Sequence, residues 1–209
     1  MEIFTSDKFI PASDIESSAS ECLREYCKKK GLKEIPLPIP IEDIIETMGL
    51  ILLFDEMEEN ILGSLAKKGD EKLVCINEAI LPENGGHGGR LNFTLAHEVG
   101  HYRLHWHFFN PKQGDLLNPN RNMIVCRDFE NEKAEKAEKP KKPSSEIQAD
   151  MFAAFLLMPK DMIIREYIEI AKKDELFFLE CTMADKFNVS MQAMCYRLER
   201  MGLTKKEAI

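Results

Sequence analysis

Between residues 13 and 30 the apolar positions Ile15, Ala19, Cys22, Leu23 and Tyr26 recur at intervals of three and four. That period predicts an amphipathic helix, and Gly31 stops it. Pro36, Pro38 and Pro40 then alternate with Leu37 and Ile39. Proline removes amide donors and biases its predecessor away from helix, so this stretch reads as an extended spacer. A short helix is expected over 41–48, ended by Gly49. Three apolar bursts follow, at 50–54, 61–66 and 72–77, separated by charged or turn residues. They predict a small antiparallel sheet, with Lys67, Lys68, Gly69 and Asp70 as a hairpin turn. After a glycine-rich loop at 84–89, residues 90–107 have the composition of a helix, which Asn110 and Pro111 end. Residues 111–143 carry no clear period; within them 130–142 is a charge-balanced Lys/Glu tract, either a solvated helix or a mobile insertion. Ser144 or Ser145 offers an N-cap to an apolar helix over 146–158, closed by Pro159. Further helices are expected over 160–172, 176–187 and 191–201. The fold class is α+β and mainly helical.

The 209 residues are 44% hydrophobic and 31% charged, which suits a chain with a sizeable core and not a disordered one. A net charge of −8 argues against a surface built chiefly to grip phosphate backbones. Residues 1–11 contain Glu2 and Asp7 and lack an apolar run, unlike a secretory signal. No stretch reaches the roughly 18 apolar residues of a membrane span. The six cysteines form no C-x-x-C pair. Reduced thiols and a cytoplasmic location are the expectation.

Candidate chemistry is concentrated at His97-Glu98-Val99-Gly100-His101, an H-E-x-x-H pattern within a predicted helix. Residues four apart lie about 40° apart around the axis and roughly 6 Å along it, so both imidazoles can meet one ion. Glu98 can then reach a water at that ion without ligating, as a general base. The competing reading is a surface helix with two solvated histidines. Against it stand the apolar neighbours Leu91, Phe93, Leu95, Val99 and Leu104, and Gly100, whose helix penalty of roughly 1 kcal/mol makes sense where another backbone approaches closely. A third ligand is needed, with one position left open. His105 lies roughly 12 Å along the axis from His97, too far to share the ion. His107 stands where a metzincin carries its third histidine, but Leu104 replaces the intervening glycine. His105 is read as a supporting or substrate-side group, or a helix-end cation. Cys126 is a further possible thiolate. Glu146 is the better candidate: with Asp150 one turn later it forms E-x-x-x-D, so that Glu146 can ligate while Asp150 accepts the free N–H of a ligand histidine. The plainer alternative is a carboxylate favoured by the helix N-terminus beside a solvated aspartate. The apolar run 151–157 weighs against it, because an aspartate on a buried helix needs a partner.

At these residues the sequence resembles the ImmA/IrrE family of metallopeptidases. The likeness is carried by residues 90–101 (R-L-N-F-T-L-A-H-E-V-G-H), by 146–154 (E-I-Q-A-D-M-F-A-A) and by Leu156, Leu157, Met158 and Pro159. The proline-rich segment and Ile76-Asn77 at a strand end extend it over about residues 35–160. The resemblance implies a gluzincin-like site: Zn²⁺ held by His97, His101 and Glu146, Glu98 as base, and the small sheet packed on the motif helix. It also implies a protein substrate, a helix-turn-helix repressor in mobile-element or stress-response regulation. The long gap between His101 and Glu146, with its Lys/Glu tract, departs from the family pattern. His105, His107, Tyr102 and Tyr167 are candidates for a donor to the transition-state oxyanion. An extended substrate is expected to pair with strand 61–66 as an exposed edge.

The chain divides, on this reading, into a metallopeptidase domain over 1–172 (N-terminal helix 1–34, insertion 110–143) and a helical segment over 173–209. In the latter, Ala184 followed four residues later by Asn188 and then a second helix resembles a helix-turn-helix. The rival readings are a DNA-binding regulator, or a repressor-binding protein that does not cleave. Residues 176–209 set five basic against four acidic side chains, a thin footprint for DNA, so a nucleic-acid partner is not expected.

Overall fold

The computed structural model describes residues 9–58, 60–84, 87–108, 123–127, 143–172 and 178–203, with 123–127 as backbone only. Seven α-helices, three short 3-10 helices and four strands are present among them. The expected Lys/Glu tract at 130–142 lies outside the described residues.

Helix α1 (Ala12–Lys30) buries Ile15, Ala19, Cys22, Leu23 and Tyr26, the stripe that its period marks. Gly31, at φ 66°, takes the left-handed conformation that closes the helix. Helix α2 (Ile41–Thr47) follows the proline spacer. Strands β1 (Ile51–Asp55), β2 (Ile61–Lys68) and β3 (Glu71–Asn77) come next. Gly69, at φ 62°, opens the two-residue turn between β2 and β3.

The sheet is mixed, not antiparallel. Its order is β1-β3-β2-β4, and β1 runs parallel to β3 with Leu53 opposite Cys75. The chain leaves β1, passes beyond the position β3 will fill, and returns through the hairpin, so β3 separates β1 from β2. A fourth strand, β4 (Met123–Arg127), pairs antiparallel with β2 and comes from the stretch without apolar period. Strand β2 is therefore interior, and β1 and β4 form the edges among the described residues. The expectation that 61–66 offers a free edge is corrected by that pairing. The β2–β4 register slips between Ile61 and Gly63, a bulge in the strand that faces the site.

Helix α3 (Gly88–Leu104) lies on this sheet, and α4 (Ser144–Leu157) is packed between α3 and α1. Ser144 and Ser145 are inside α4; the N-cap position is Pro143, with no side-chain cap. Proline fits there because no N–H is needed at that point. Leu95, Val99, Phe152, Ala153, Leu156 and Leu157 form the middle of the core. Helices α5 (Lys160–Lys172), α6 (Leu179–Phe187) and α7 (Met191–Arg200) follow. Met183, Phe187, Met194 and Leu198 of α6 and α7 belong to the same buried cluster. The α6–α7 turn carries Asn188 at φ 49°, ψ 52°. The backbone of Val189 and Ser190 lies against Gly89, where an added Cβ would sit 2.7 Å from both Val189 C and Ser190 N. Arg197, one of the five basic residues of this segment, turns inward: its Nε donates to the Met158 carbonyl and its guanidinium pairs with Glu16. The helix pair alone does not establish a DNA-binding helix-turn-helix. No described helix is long and apolar enough to cross a membrane.

Candidate metal centre

His97 and His101 sit one turn apart on the face of α3 that meets α4. What lets the two helices meet so closely is Gly100. A Cβ there would lie 3.1 Å from the Ala149 carbonyl oxygen and 3.2 Å from both Ala149 Cα and Phe152 Cβ. Across this contact Glu146, from the first turn of α4, reaches both rings. His97 Nε2 is 3.2 Å from Glu146 Oε2, His101 Nε2 is 3.1 Å from Glu146 Oε1, and the two Nε2 atoms are 2.9 Å apart. One ligand atom from each of the three residues falls within 4.8 Å of the others, and all three side chains are buried. It is the one such group among the described residues.

Hydrogen bonds on the far sides of the rings set their protonation. His97 Nδ1 lies 2.9 Å from Asp150 Oδ1. A carboxylate accepts, so Nδ1 carries the proton and Nε2 presents a lone pair to the cluster. His101 Nδ1 lies 3.0 Å from His105 Nδ1, and His105 Nε2 lies 2.9 Å from Gln148 Oε1. With the amide oxygen accepting, the proton on His105 is on Nε2 and that on His101 is on Nδ1. His101 Nε2 is then a second inward lone pair. Two lone pairs at 2.9 Å repel unless something positive lies between them. The two oxygens of Glu146 sharpen the point: both are buried, and neither is in an aligned hydrogen bond despite the short contacts. With the protons on the outer nitrogens, four electron-rich atoms converge without a donor. A divalent cation satisfies that arrangement, and two imidazoles with a carboxylate suit zinc's preference for N and O ligands.

Glu98 is wholly buried, with neither oxygen hydrogen-bonded. It points from α3 toward β2. Burial pushes its carboxyl up to about 8, with His97 opposing and Glu146 adding to the shift. A cation at the neighbouring cluster would pull it back toward the ionised form. Its room comes from Gly63 in the bulged part of β2. A Cβ at that position would sit 3.0 Å from Glu98 Oε1, 3.2 Å from Ile76 Cδ1 and 3.2 Å from Thr94 Cγ2. The sequence reading passed over Gly63, although an isolated glycine in a strand is the usual mark of a close approach.

The other expected residues fall as follows. His105 is fully buried, and burial lowers its pKa, with the Gln148 contact opposing. From the C-cap position of α3 it bridges His101 and Gln148. Gln148 was not singled out from the sequence. His107 is exposed in the short turn after α3. The Tyr102 hydroxyl accepts from Lys72 at 2.8 Å, with Trp106 beside its ring. Tyr167 packs at the margin of the core from α5. The Cys126 side chain lies outside what is described. His87 caps α3, its Nδ1 accepting from the Gly89 amide at 3.1 Å.

A helix bearing H-E-x-x-H, a carboxylate from a second helix and a mixed sheet alongside define a metallopeptidase-like protein. The family model described as the IrrE N-terminal-like domain (Peptidase_M78) matches residues 66–199, and the chain belongs to that family. A search of curated proteins finds no match.

Proposed function

We propose that the chain is a zinc-dependent endopeptidase in which His97, His101 and Glu146 hold the metal and Glu98 is the general base. The observation that carries this reading is the convergence of two Nε2 atoms, 2.9 Å apart, on a buried carboxylate that no hydrogen bond satisfies, beside a second buried carboxylate. A metal bound there supplies Lewis acidity, polarising a peptide carbonyl and acidifying a water. Asp150 holds His97 in the tautomer that ligates. Glu98, one residue from the first ligand, accepts the proton of the attacking water on a carboxylate oxygen and passes it to the leaving amine nitrogen. The walls of α3, α4 and β2 keep that carboxylate out of bulk water, which strengthens its coupling to nearby charge.

The substrate we favour is a protein, specifically a helix-turn-helix repressor met in the cytoplasm. An extended segment of it would pair with the edge of β4 that no described strand covers. That strand runs beside β2, with Cys126 opposite Gly63, and Gly63 borders Glu98. The edge would thus carry a peptide past the base.

Glu98→Gln tests the assignment. The variant is expected to bind zinc in the same stoichiometry as wild type by metal analysis, yet cleave an adjacent-gene repressor or unstructured casein at least about 10²-fold more slowly. Equal cleavage by the variant would show that Glu98 is not the base.

A further inference from the structure

Helix α4 attends to both histidines of the cluster, but by different means. Asp150 reaches His97 directly, whereas Nδ1 of His101, the nitrogen turned away from the cluster, meets an imidazole and not a carboxylate. It meets His105 Nδ1, and His105 in turn meets Gln148 Oε1. All three side chains are buried, His101 and His105 completely. A chain of buried hydrogen bonds can run in only one of two senses, because each imidazole has one donor and one acceptor nitrogen when neutral.

In the first sense Gln148 presents its carbonyl oxygen. His105 donates from Nε2 and accepts at Nδ1, His101 donates from Nδ1, and His101 Nε2 is a lone pair facing Glu146 and His97. In the second sense Gln148 presents its amide NH2. Every proton then moves to the other side of its ring: His105 donates from Nδ1, His101 accepts there, and His101 Nε2 carries a hydrogen. That hydrogen would point at Glu146 Oε1, 3.1 Å away. The first sense makes His101 a ligand; the second makes it a donor that fills the site and cannot bind metal.

We propose that Gln148 and His105 are positioning residues: the acceptor oxygen of Gln148, relayed through His105, fixes His101 in the tautomer that ligates metal. The inference rests on the metal-site reading above and deepens it. It makes the side-chain amide, two residues after Glu146, a determinant of metal affinity although it touches neither the metal ligands' inner atoms nor the substrate. Outer partners of ligand histidines are generally worth 10–100-fold in metal affinity, so the loss of the relay should cost about that much.

Three variants and one spectroscopic measurement test it. Gln148→Leu keeps the volume and removes the acceptor; Gln148→Glu keeps an acceptor; His105→Phe removes the bridge. Zinc affinity is read by competition with a chromophoric chelator. Gln148→Leu and His105→Phe are expected to bind zinc about 10–100-fold more weakly. Gln148→Glu should stay within a few-fold of wild type, a rescue that simple packing would not give. The tautomer of His101 in metal-free wild type is read from its ¹⁵N shifts and long-range couplings, which needs no variant to fold; the proton is expected on Nδ1. Wild-type zinc affinity in Gln148→Leu, or a loss in Gln148→Glu as large as in Gln148→Leu, overturns the proposal. So does a proton found on His101 Nε2 in the metal-free protein. If wild type binds no zinc, the metal reading fails by itself, while the tautomer measurement still decides the relay.

Discussion

Gly100→Ala isolates the feature that lets α3 and α4 bring their side chains to one point. On propensity alone the change should help, since alanine favours a helix interior over glycine by about 1 kcal/mol. Here the new Cβ would meet the Ala149 carbonyl oxygen at 3.1 Å and Ala149 Cα and Phe152 Cβ at 3.2 Å. Two of these three atoms are backbone of α4 and cannot rotate away. Overpacking of this kind costs about 1–3 kcal/mol, so the net effect is a loss of about 0–2 kcal/mol. The helices must part by a few tenths of an ångström. Because α4 carries Glu146, Gln148 and Asp150, that shift moves the proposed third ligand and the partners of His97 and His105 together. Zinc holds its nitrogen and oxygen ligands near 2.0–2.2 Å, so affinity should fall about 10-fold or more. Denaturant unfolding of the metal-free protein gives the first quantity and chelator competition the second. A variant more stable than wild type with unchanged zinc affinity would refute the argument that close helix approach is what requires the glycine.

Two further outcomes follow from the same geometry and from the polar contacts between α1 and α2. Gly63→Ala should slow peptide hydrolysis about 10–100-fold through displacement of the Glu98 carboxylate, with zinc content unchanged by metal analysis; loss of zinc instead would place the effect of the substitution on the ligands. Asp43 is held below its ordinary pKa by the Lys30 hydrogen bond and then by the Tyr26 hydroxyl. Its contribution is therefore present above pH about 4 and disappears as pH falls through the lower folded-state value. Asp43→Asn should lower Tm at pH 7, with a deficit that shrinks as the pH is taken below about 4; a deficit that does not change with pH would contradict the charge-based account.

How far the sequence disclosed all this depended on whether a feature is local. The H-E-x-x-H spacing is a property of one helix, so the convergence of His97 and His101 was legible. Glu146 and Asp150 were legible because four residues is again one turn, and because the apolar run after them marked a buried helix. The stripe Ile15 to Tyr26 and the turn at Gly69 were equally local. Pairing was not. That β1 is parallel to β3, and that β4 covers β2, depend on contacts between distant segments, and five residues without alternation gave β4 no signature. His105 stayed open between a supporting group, a substrate-side group and a helix-end cation for the same reason, since its partner Gln148 stands on another helix. Gly63 did leave a sign, a glycine within a strand, that went unread.

The central claim is that two Nε2 atoms and a Glu146 oxygen share one cation. Anomalous diffraction at the zinc edge from zinc-loaded crystals tests it most directly. The account predicts a peak roughly 2.0–2.2 Å from His97 Nε2, His101 Nε2 and a Glu146 carboxylate oxygen. A peak coordinated by other residues, or a zinc-loaded protein with Glu146 turned out of the coordination sphere, would contradict it.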